Sequence, residues 1–148
     1  MVSTAIKGEQ NTSGKLPFEG NNYPYPMFVG TAKLSDEVAY SLTKAVLDNY
    51  EQIKDSGPSM SGYQVDKQPL KFVFPYHPGS IAYFKEKGVW TAEHEQHNAM
   101  LMKRQDVLAD AWKKMDMNLD DDALTAAWQG ARAAALEAAG MDVPFREW

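Results

Sequence analysis

The sequence predicts an α/β fold in which a few strands pack under about four helices. Two observations carry this. Apolar, β-prone runs occupy residues 27–32 and 70–74, and the stretches after them repeat their apolar residues with helical period, each opened by a residue able to cap it. The resulting order is strand, helix, strand, helix, with two more helices to follow.

Residues 1–22 are polar and rich in Gly, Asn, Ser and Thr, and only residues 2–6 offer a strand. The segment reads as a loop or an edge. In Tyr23-Pro24-Tyr25-Pro26 each proline pushes the residue before it toward extended backbone. Residues 27–32 continue in apolar, strand-like fashion, so 23–32 reads as one extended crossing strand.

Ser35 caps the first helix, whose opening turn carries Asp36 and Glu37 against the positive end of the helix dipole. Val38, Leu42, Ala45, Val46 and Ile53 recur with helical period, and Gly57-Pro58 ends the run. A polar connection leads to the strand at 70–74. Pro75 and Pro78 stop it, because each fixes φ and withholds a donor. His77 then stands as a cap, Pro78 fits the first helical position, Ile81, Phe84 and Lys85 follow at helical spacing, and Gly88 supplies a left-handed stop.

Thr91 caps the third and longest amphipathic segment, with Met100, Leu101, Val107, Leu108, Ala111, Trp112 and Met115 along one face and Arg104 completing the stripe. This stripe is expected to be core rather than partner surface. Asp120-Asp121-Asp122 open an alanine-rich helix with Leu124, Trp128, Ala131 and Ala135 on one face and Gly140 as its stop. So narrow a stripe should pack close against another helix. The terminal Trp148 is expected to dock.

With 148 residues the chain suits one domain and can bury about two-thirds of its unfolded surface. Hydrophobic residues at 44% and charged residues at 24% are ordinary globular values. No run approaches the roughly eighteen apolar residues of a spanning helix. A net charge of −5 and the lack of a basic cluster argue against nucleic acid and against anionic lipid as partners. The acids Asp120, Asp121, Asp122, Glu137, Asp142 and Glu147 concentrate that charge toward the C-terminus, where they read as a solvated surface or, alternatively, an electrostatic docking face. There are no cysteines, which excludes disulfides, thiolate metal sites and cysteine nucleophiles.

Chemistry-bearing patterns are sparse. His94 and His97 stand at i and i+3 on one turn, but the chain's remaining histidine is His77 and the spacing is not the i, i+4 of a zincin helix. At the polar start of an amphipathic helix both are expected to face solvent, so no metal site is assigned. Ser61 and Ser80 adjoin glycines, but neither lies in a Gly-x-Ser-x-Gly elbow. No glycine-rich phosphate loop occurs, and no cofactor or catalytic residue is assigned. Tyr23 and Tyr25, two apart in an extended strand, point to the same side. They can line one wall of a cleft with apolar faces and hydroxyl donors for a small ligand, or pack against a neighbouring element.

His77-Pro78-Gly79 followed by Tyr83-Phe84-Lys85-Glu86-Lys87-Gly88 resembles the C-terminal signature of the TAXI family, the solute receptors of TRAP transporters. Residues 34–49 resemble the helix that such receptors place after their last lobe-crossing strand. The likeness covers residues from about 15 to 115. It implies a periplasmic-binding-protein-like partial lobe: residues 1–22 as an edge, 23–115 as a receptor-like C-terminal domain, and 116–148 as a helical extension. The implied role is to bind a small organic anion beside the crossing strands, at Tyr23 and Tyr25, and deliver it to the membrane permease subunits, with no bond made or broken. Hinge closure around the ligand is the implied motion.

The resemblance also implies a periplasmic location, although residues 1–9 show neither the apolar core nor the small-residue cleavage site of a secretory signal. A fragment, or a derived short protein, is therefore expected. A receptor half leaves strand edges uncovered, so a homo- or hetero-oligomer burying them is the alternative: an accessory or structural interaction subunit.

Overall fold

Two compact units make up the chain, Met1–Pro69 and Leu70–Trp148. The computed structural model describes residues 2–5, 18–21, 27–57, 60–144 and 146. In the first unit, strand β1 (Val2–Ala5) pairs antiparallel with β2 (Phe18–Asn21), Val2 opposite Asn21 and Ala5 opposite Phe18. Among the described residues this is the whole of the β structure.

Helix α1 (Asp36–Asp48) begins where the capping chemistry places it: Ser35 adopts extended backbone and its hydroxyl accepts from the Val38 N–H at 3.3 Å. The buried face is one residue out of step with the apolar stripe. Ala39 and Leu47 are buried, while Val38 is 51% and Leu42 43% exposed. Thr43 is tolerated on the inner face because its hydroxyl donates back to the Ala39 carbonyl at 2.8 Å. The helix ends at Asn49, well before Gly57. Asn49 leaves helical geometry at φ −96° and ψ 18°, and a single further turn, α2 (Tyr50–Ile53), follows. Short 3₁₀ turns at Met60–Tyr63 and Val65–Lys67 complete the unit.

The second unit is three helices: α3 (Pro78–Glu86), α4 (Ala92–Trp112) and α5 (Asp121–Ala138). His77 caps α3, with its Nδ1 accepting from the Gly79 N–H at 3.2 Å and Pro78 in the first turn. The exit is a Schellman turn. Gly88 sits at φ 71°, its N–H donates to Lys85 O, and the Val89 N–H donates to Phe84 O. The end of α5 repeats it, with Gly140 at φ 66°, Gly140 N–H to Glu137 O and Met141 N–H to Leu136 O.

Helix α4, about 32 Å long, runs antiparallel to α5. Trp112 meets Trp128 edge-on at 5.0 Å, near the connection between them, and at the far end Arg104 Nη1 donates to the Asp142 carbonyl at 2.9 Å. Arg132 on α5 donates to the Pro144 carbonyl at 2.8 Å, fastening the chain that leaves α5. The core gathers Leu70, Phe72, Ile81, Tyr83, Phe84, Trp90, Leu101, Ala111 and Leu136. Burying each of the large side chains contributes about 1.5–3 kcal/mol. Met100 and Trp112, expected in that core, each remain 42% exposed.

The α/β expectation is overturned. Residues 27–32 form no strand, and a turn closes at Thr31, whose carbonyl accepts from the Leu34 N–H at 3.0 Å. Residues 70–74 form none either. A strand requires a neighbouring strand to accept its ladder, and around 70–77 the neighbour is α4, whose side chains take that role. The molecule is helical, and the β1–β2 pair is a two-stranded ribbon rather than a sheet layered under helices. No helix among the described residues is long and apolar enough to cross a membrane.

Candidate functional site

The segment 70–98 is where the structure departs most from sequence expectation and where its polar side chains do the most. Leu70 and Phe72 turn inward, whereas Val73 and Phe74 stay 65% and 54% exposed. Two adjacent residues of α4 hold this loop. His97 Nε2 lies 2.7 Å from the Phe72 carbonyl, and because a carbonyl only accepts, Nε2 carries the proton. Asn98, buried, accepts from the Tyr76 N–H through Oδ1 at 2.7 Å. At the outer edge Lys71 pairs with Glu93, and its ammonium holds the Glu93 carboxyl below the usual carboxylate range.

An aromatic cluster fills the space beneath. Tyr76 meets Phe84 edge-on at 5.5 Å and Trp90 at 5.7 Å, while Phe84 and Trp90 stack at 6.5 Å. Such contacts add about 0.5–1.5 kcal/mol each beyond area burial. Burial pushes the Tyr76 phenol up to about 12.

The turn into α4 is closed by a capping box with an imidazole in the place of the usual Glu or Gln. Thr91 Oγ1 accepts from the His94 N–H at 3.4 Å, and His94 Nδ1 accepts from the Thr91 N–H at 3.1 Å. Beside it the Glu95 carboxylate accepts from Lys85 Nζ at 2.9 Å and from Trp90 Nε1 at 2.8 Å, and these two donors hold it below its ordinary range. Lys85, Trp90, Thr91, Ala92 and Glu95 line a surface hollow of about 360 Å³ at this corner. Its cation and anion already neutralise one another.

The three histidines therefore serve backbone groups: His77 and His94 as caps, His97 as a strap. Contrary to the solvent-facing expectation, His94 and His97 are half-buried. Among the described residues no three or more His, Cys, Asp or Glu side chains gather where they could hold a metal. Thr91-x-x-His94 was the legible signal for the capping box, since it has the spacing of Ser/Thr-x-x-Glu. Nothing local in the sequence announces Asn98 as an acceptor for Tyr76, 22 residues away. Tyr23 and Tyr25, the ligand-contacting candidates, lie outside the described residues.

A second concavity, about 440 Å³, runs between α4 and α5 and is lined by Val107, Asp110, Ala111, Lys114, Met115, Ala131, Ala135 and Ala138.

Residues 25–88 match the model of the NMT1-like family. That family is solute-binding-like, and the matched stretch is less than half of the 148-residue chain. It includes Tyr25, α1, the loop at 70–77 and the whole of α3 to its Gly88 stop, so the His77-Pro78-Gly79 and Lys85-Glu86-Lys87-Gly88 motifs fall inside it. The likeness is to a family of binding proteins rather than of catalysts. Comparison with the curated proteins and with the solved structures finds no match.

Proposed function

We propose that this chain is a non-enzymatic solute-binding component of a TRAP-type transporter, similar to the C-terminal half of a TAXI receptor. It takes a small organic anion in the periplasm and hands it to the membrane permease subunits. The observation that carries the reading is the match of residues 25–88 to a solute-binding-like family. The His77-Pro78-Gly79 turn and its Gly88 exit support it. In this reading residues 23–115 are the receptor-like domain, 116–148 extend it, and Tyr23 and Tyr25 offer their rings and hydroxyls to the ligand.

The test is a thermal-shift screen of dicarboxylates and amino acids, followed by calorimetry on any that respond. A ligand present at a hundredfold excess over its Kd adds about 2.7 kcal/mol of stability, a readily measured rise in Tm. Tyr23→Ala and Tyr25→Ala should each remove that rise while the ligand-free melt stays where it was. A chain indifferent to every acid tested sinks the receptor reading.

One observation favours a second reading, an accessory interaction subunit: in the first unit Phe28 and Val29 are 63% and 79% exposed and Val38 and Leu42 stand out from α1. On α1 the exposed pair Val38 and Leu42 stands at i and i+4, adjacent on one face, and contiguous exposed apolar side chains mark protein contacts in many soluble proteins. An obligate assembly that ignores small acids is the outcome this reading requires, and a ligand-responsive monomer excludes it.

A further inference from the structure

We draw no further inference here: the strongest candidate, the alanine-floored groove between α4 and α5, is a stripe of small residues, and nothing in the structure shows what covers it.

Discussion

Asn98 and His97 illustrate how much of this fold rests on single side chains reaching a loop. A backbone N–H with no partner in a buried setting costs about 1–3 kcal/mol, and the Tyr76 N–H has the Asn98 carbonyl oxygen as its acceptor. Asn98→Ala should therefore destabilise the chain by about 2 kcal/mol in urea unfolding. Asn98→Asp, which keeps an acceptor oxygen at the same place, should lose less. If Asn98→Ala unfolds with the wild-type midpoint and slope, the loop at 70–77 is held by something other than this bond. The role was not legible beforehand, because hydrogen bonds across 22 residues have no local signature. His94 was half-legible: its spacing from Thr91 is that of a capping box, but two histidines on one turn draw attention to metal before capping.

At the scale of elements, what was legible in the sequence is what the backbone decides locally. Ser35, Thr91 and Asp120 cap the helices they were expected to cap, His77 and Pro78 open α3, and Gly88 and Gly140 close α3 and α5 in left-handed geometry. Each depends on a few consecutive residues. The strand at 70–74 was misread for the opposite reason: β-propensity describes fitness for a pleated surface with neighbours, and here the neighbour is a helix. The face of α1 was misplaced because Thr43 hides its polarity in a bond to its own helix. The glycine stops offer a clean test. Gly140 has φ 66° and nothing within 4 Å of where a Cβ would sit, so substitution there reports backbone strain without clash. Gly140→Ala should cost roughly 1–2 kcal/mol, and Gly140→Asn distinctly less, because Asn tolerates the left-handed region. Equal melting of all three proteins would mean that the turn relaxes freely and that α5 does not need its Schellman closure.

At the scale of the whole molecule, the two units differ in how they are held. Among the described residues, the first unit buries Ala39 and Leu47, whereas the second buries nine apolar side chains from Leu70 to Leu136, with Tyr83, Phe84 and Leu136 wholly enclosed. Local opening is cheapest where few apolar contacts must be given up. The amides of α1 and α2 should thus exchange with solvent by local opening, well before those of α3, α4 and α5. In the second unit, amides near Leu101 and Leu136 should approach the protection set by global unfolding. Hydrogen-exchange mass spectrometry resolves the two sets of peptides directly. If a receptor ligand binds at Tyr23 and Tyr25, its stabilisation acts first on the weaker unit, so added ligand should slow exchange in α1 and α2 more than in α4 and α5. Uniform protection across both units would show one cooperative structure, and the first unit would then draw its stability from more than its own small core.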